Sequence, residues 1–107
     1  MLQDGIVLFN KRKFFEAHEV WENLWLNAKE EKKFLQALIF IAGAYYHYQQ
    51  ENIPGAKLFL SKGSELLEKY PEKYLDLDVK RIKEDTKNNL EKIKQNIEIK
   101  FHVISKF

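Results

Sequence analysis

The chain has 107 residues, 45% of them hydrophobic and 32% charged, with no cysteine and a net charge of +2. That length suits one domain over residues 1–107 with one core, and the missing cysteines exclude disulfides, thiolate metal sites and cysteine nucleophiles. So small a charge gives no reason to expect nucleic-acid binding. The longest apolar run, Ala37 to Tyr46, is about half of what a bilayer crossing needs, and the start MLQDGIVLFNK lacks the basic lead of a signal peptide, so a cytoplasmic protein without membrane contact is expected.

Leu2, Ile6 and Phe9 stand at helical spacing and predict a short first helix ending near Asn10, with Gly5 weakening it. The second helix carries FFEAHEVWENLW, Phe14 to Trp25. Its apolar face runs through Phe14, Ala17, His18, Trp21, Leu24, Trp25 and Ala28, so a histidine lies inside a hydrophobic stripe. Asn27 to Lys32 reads as a turn, and a third helix from about Glu31 to Gln50 is apolar nearly all round, which predicts a central position. ENIPG breaks the chain. A fourth helix then follows from Pro54 to about Tyr70, with Ala56, Leu58, Phe59, Leu66 and Leu67 as its core contacts.

PEKYLDLD reads as a connection with no strand pair, and Asp78 as the N-cap of a charged fifth helix over about 78–97. Lys80, Arg81, Lys83, Lys87, Lys92 and Lys94 form its solvated side. Ile97 to Val103 alternates apolar and polar residues as a half-buried strand does, yet has no evident partner, so the conformation of residues 98–107 stays open. The fold class is therefore all-α: a compact bundle of about five helices, the third in the middle and the second, fourth and fifth around it.

His18 and Glu22 are four apart, neighbours on one helix face and able to hold one cation or share one proton. HEVWE resembles the zinc-peptidase HExxH helix with its second histidine replaced by glutamate. If the second and third helices form an antiparallel hairpin turning near residue 29, Glu22 lies level with Gln36 and His18 with Phe40. His47 then falls on the order of 10 Å beyond His18, too far to share a metal directly. The compact set is His18, Glu22 and Gln36, with Glu19 at the rim and His47 further along a stripe through Gln36, Phe40 and Gly43. Gly43 would leave room for a neighbouring ring. Trp21 and Trp25 are expected in the core, and His102, in the tail, is given no role.

Two functions are compatible with this set. In the first the protein is a small interaction or scaffold module, open to a protein or peptide partner or to self-association, and a buried His18–Glu22–Gln36 hydrogen-bond cluster fixes its hairpin. In the second it binds a divalent metal or acts as a hydrolase-like enzyme. His18 and Glu22 are then the ligands, and Glu19 and Glu22 the candidate catalytic carboxylates.

FNKRKFFEAHEVWENLW followed by FLQALIFIAGAYYHYQQENIPGAKLFLSKGSELL resembles the family catalogued as domain of unknown function 309. The resemblance spans roughly residues 6–67 and rests on AHE, ExxW, LQALI, a histidine and GA, in order and at matching spacing. It points to Glu16, His18, Glu19, Glu22, Trp25, Gln36, His47, Asn52, Gly55 and Ala56, implies a compact all-helical fold, and assigns no activity. Two glycines of the family pattern are replaced here, one by the Arg12–Lys13 pair and one by Glu51, both at turns. The stretch from Ala42 to Pro71 also approximates one tetratricopeptide-like hairpin, a shape that can offer a groove to a peptide.

Overall fold

A computed structural model describes residues 1–107. Five helices, α1 (Leu2–Asn10), α2 (Phe14–Asn27), α3 (Lys32–Gln49), α4 (Ile53–Leu67) and α5 (Val79–Lys94), are joined by short turns, with a hairpin of β1 (Lys73–Tyr74) and β2 (Leu77–Asp78) before α5. Each helix packs chiefly on its neighbours in the chain. The all-α class expected from periodicity is what the chain forms. α3 is central between α2 and α4, whereas α5 lies mainly against α4 and reaches α3 through side chains. No helix is long and apolar enough to cross a membrane.

Gly5, which costs α1 local stability, is the seat of the largest core side chain. A Cβ there would stand 2.2 Å from Trp21 Nε1, so the indole lies directly on the α1 backbone. It also donates to the Leu2 carbonyl at 3.2 Å. Phe9, Phe14 and Tyr45 close around the same point, with ring centroids 5.0 to 5.9 Å apart. Gly63 does a similar job between α3 and α4, where a Cβ would meet Ile41 Cγ1 at 2.8 Å and the Ala37 carbonyl at 3.0 Å.

The two turns where the family pattern has glycine explain that preference. Arg12 and Glu51 hold φ of 64° and 61°, the left-handed region that a Cβ disfavours. At each, the next amide reaches back to close the helix end: Lys13 N to Leu8 O at 2.9 Å, and Asn52 N to His47 O at 2.8 Å. Asn52 then starts α4 by accepting the Gly55 amide on its side chain at 3.1 Å. Asp78 caps α5 in the same way, accepting from Arg81 N at 3.1 Å.

Several expectations are corrected. α4 stops at Leu67, before Tyr70, and Leu58 is 53% exposed while Leu60 is fully buried in its place. A two-residue turn at Leu75 and Asp76, both with positive φ, makes PEKYLDLD a hairpin after all. α5 ends at Lys94, three residues short of 97.

The tail folds back over α1 and α3. Asn10 grips it on both sides, donating to Ile104 O at 3.0 Å and accepting Ile104 N at 2.8 Å. Ile99 N donates to the Tyr48 hydroxyl at 3.2 Å, Asp78 N donates to Ser105 O at 2.9 Å, and Lys106 bridges Leu77. Strict alternation fails at Phe101: Ile97 and Val103 are exposed, while Ile99 and Ile104 are buried.

Candidate functional site

α3 buries most of its circumference; on the stripe through Gln36, Phe40, Gly43 and His47, Phe59 covers Gly43 while Gln36, Phe40 and His47 stay half-exposed between α2 and α4. Three depressions lie along it and share walls. The middle one, about 380 Å³, holds His18, Glu22 and Trp25 of α2, Gln36 and Phe40 of α3, and Phe59 of α4. One neighbour, about 210 Å³, adds Phe15, Gly43, Tyr46 and His47 and shares His18 and Phe59. The other, about 530 Å³, shares Gln36 and Phe40 and continues between α3 and α4. The result is one groove with α3 as its floor.

The antiparallel register expected from the turn near residue 29 places Glu22 beside Gln36 and His18 beside Phe40, and both pairs line the middle depression. Gly43 makes room for a ring, as its position suggests: a Cβ there would stand 2.9 Å from Phe59 Cδ2. The cluster is nevertheless not buried. His18 Nε2 lies 3.1 Å from Glu22 Oε1, with the two side chains 26% and 53% exposed. The hydrogen bonds of the site leave Gln36 out, so the expected closed His18–Glu22–Gln36 cluster is instead a His18–Glu22 pair at the edge of an open groove. The reason is the missing cover: α1, α5 and the tail all pack on the opposite side of the three-helix layer.

His18 Nδ1 faces the Phe15 carbonyl at 3.2 Å, which fixes the ring so that Nε2 points to Glu22. His47 is fixed from the other side. Asn52 uses its Oδ1 for the Gly55 amide, so its Nδ2 donates to His47 Nδ1 at 3.2 Å. The remaining His47 nitrogen, Nε2, therefore carries the proton of the neutral ring. His18 and His47 share a depression, yet no three His, Cys, Asp or Glu side chains gather anywhere as a set that could hold a metal ion. Glu19 is exposed and lines none of the three depressions.

Trp21 is in the core, whereas Trp25 forms a wall of the groove, half-buried, with the Lys32 ammonium 4.2 Å from its ring centroid. Its Nε1 is buried without a hydrogen-bond partner. Reading the sequence missed Phe15 and Phe59 as groove residues. For Phe59 the signal was available: a turn near residue 51 sets it level with Gly43, by the same reasoning that sets Glu22 level with Gln36.

His102, given no role from its place in the tail, belongs to the most buried polar network of the molecule. Its Nδ1 faces two acceptors, Val103 O at 3.2 Å and Asp85 Oδ2 at 3.7 Å, so that nitrogen holds the proton. The bare Nε2 accepts the Tyr45 hydroxyl at 2.7 Å, and the Tyr45 oxygen accepts Asn89 Nδ2 at 3.1 Å. Burial pushes the Tyr45 hydroxyl far above the ordinary tyrosine range, offset in part by the Asn89 bond and reinforced by Asp85. Burial also holds the His102 ring below its ordinary value, against the opposing pull of the Val103 carbonyl and Asp85 and with the help of Arg81. Tyr45 is fully buried, and this network ties the tail to α3 and α5.

Fold and groove together define a small all-helical protein of consecutively packed helices whose central helix shows one partly uncovered stripe. The chain belongs to the family described as Domain of unknown function (DUF309), whose model matches residues 2–58, a span that includes the groove residues of α2 and α3. It is also 32% identical over 68 residues to the uncharacterized protein YpuF of Bacillus subtilis (strain 168), across 61% of this chain and 39% of that protein. The chain thus spans about two fifths of that relative's length.

Proposed function

We propose that this protein is an interaction module that holds a peptide segment of a partner in the groove along α3. The observation that carries this is the partly uncovered stripe itself. A central helix leaves Gln36 and Phe40 half-exposed between walls made by Trp25, His18 and Phe59, the last packed over Gly43. Apolar side chains lining a continuous concave surface favour burial against an incoming chain at about 25 cal/mol per Å². The His18–Glu22 pair and the His47–Asn52–Gly55 cap then act as positioning elements that set the walls at a fixed distance.

The test is selection of binders from a displayed random-peptide library on the immobilised 107-residue chain. Groove binders are expected to lose tenfold or more in affinity to the variant Phe40→Ala/Phe59→Ala, with circular dichroism verifying that the variant stays folded. Binders that ignore the double variant would overturn the proposal.

A second reading, metal binding, is favoured by one feature. His18 offers Nε2 toward Glu22 while Nδ1 faces a backbone carbonyl, the support a metal-bound imidazole normally has. The two donor atoms would need further ligands from solvent or a partner to complete a tetrahedral shell. Zinc titration by calorimetry on untagged protein, with His18→Ala as control, decides it: uptake that the variant abolishes supports this reading, and its absence in the parent sinks it.

A further inference from the structure

The groove does not end neutrally. Its widest part, about 530 Å³, is ringed by Lys33 of α3 and by Lys62 and Lys69 on or just beyond α4, over a floor of Phe40, Leu66 and Tyr70. Glu65 is the one carboxylate at its rim. None of the three lysines takes part in an ion pair. Three of the six cations of α5 are paired, Lys80, Arg81 and Lys87 with Glu72, Asp85 and Glu68. Lys62 rests 5.7 Å from the Phe40 ring centroid, at the junction of the wide end and the aromatic middle. The opposite end, by contrast, is closed by Phe15, Tyr46 and His47 and holds no lysine.

Three ammonium groups against one carboxylate over an apolar floor complement a ligand that is both anionic and amphipathic. Building on the interaction-module reading above, we infer that the groove's occupant is an acidic amphipathic peptide. Its apolar anchors fill the depression between Trp25, Phe40 and Phe59, and its Asp and Glu side chains lie among Lys33, Lys62 and Lys69. The rise along α3 from Phe40 to Lys33 sets the separation of the two features at about 10 Å, roughly two turns of helix or three extended residues. That fixes polarity as well as composition, since the acidic end must point toward the turn before α3.

The peptide selection described above tests this when its products are sequenced and measured by fluorescence anisotropy. Groove-dependent binders are expected to be enriched in Asp and Glu about that distance from large apolar residues. The charge-reversed protein Lys33→Glu/Lys62→Glu/Lys69→Glu should bind them at least tenfold more weakly at 50 mM salt, with the difference shrinking at 0.5 M. Groove-dependent binders with no acidic bias, or with unchanged affinity for the reversed protein, overturn this inference and leave the interaction module standing. A selection yielding no binder sensitive to Phe40→Ala/Phe59→Ala overturns both.

Discussion

Replacing Glu51 by glycine should stabilise the protein, because the residue sits at φ 61° after the last turn of α3. A left-handed conformation costs a residue bearing a Cβ about 1–2 kcal/mol. Glycine avoids that cost but loses about 0.4–1 kcal/mol more in unfolded-chain entropy. The net is a gain of about 0.5–1 kcal/mol, or roughly 2–5 °C in Tm for a domain of this size. Glu51 gives a clean measurement because it is exposed and its carboxylate joins no ion pair. Arg12, at φ 64°, is a poorer choice. Its guanidinium lies 5.8 Å from the Phe101 ring centroid, a contact whose loss would cost about 0.5–1 kcal/mol and cancel the backbone gain. Urea and thermal unfolding of Glu51→Gly and Glu51→Ala separate backbone from side chain, since alanine keeps the Cβ and should stay within about 0.5 kcal/mol of the parent. Equal stabilisation by both variants, or none by glycine, would refute the assignment of strain to this turn.

Other perturbations probe the close packing and the tail. Gly63→Ala forces a methyl against Ile41 and the Ala37 carbonyl, and urea unfolding should show a loss of about 1–3 kcal/mol; a neutral result would mean that α3 and α4 separate easily. Asn10→Ala leaves both backbone groups of Ile104 without their partner, at a cost of about 1–3 kcal/mol. Hydrogen exchange should accelerate at Ile104 before it does in α3, and uniform acceleration would contradict a separately held tail. His102 predicts a pH dependence. Its folded-state pKa lies below the ordinary 6.5 because burial outweighs Asp85 and the Val103 carbonyl, while Arg81 acts with burial. The unfolded chain therefore binds a proton that the folded chain resists, so this contribution is present above pH 6.5 and is lost as the pH falls below it. Unfolding free energies at pH 7.5, 6.0 and 5.0 should fall more steeply in the parent than in His102→Gln, and coincident slopes would disprove the assignment.

What the sequence determined by itself was local and periodic. Helix positions followed from apolar spacing, the starts of α4 and α5 from Pro54 and Asp78, and the facing of Glu22 with Gln36 and of Gly43 with a ring from two short turns. Such features depend on residues a few positions apart, where helix geometry leaves one arrangement. The tertiary structure decided which faces were covered. The same stripe of α3 would be core if the tail crossed it and is a groove because the tail crosses the other side, held there by Asn10, Tyr48 and the network through Tyr45 and His102. These are contacts between residues 51 to 94 positions apart, and no periodicity records them. For the same reason His18 and Glu22 were legible as neighbours but not as solvent-facing, since burial belongs to the whole packed set. Gly5 makes the point in reverse: local propensity marks it as a weakness in α1, and only the arrival of Trp21 from α2 gives it a purpose.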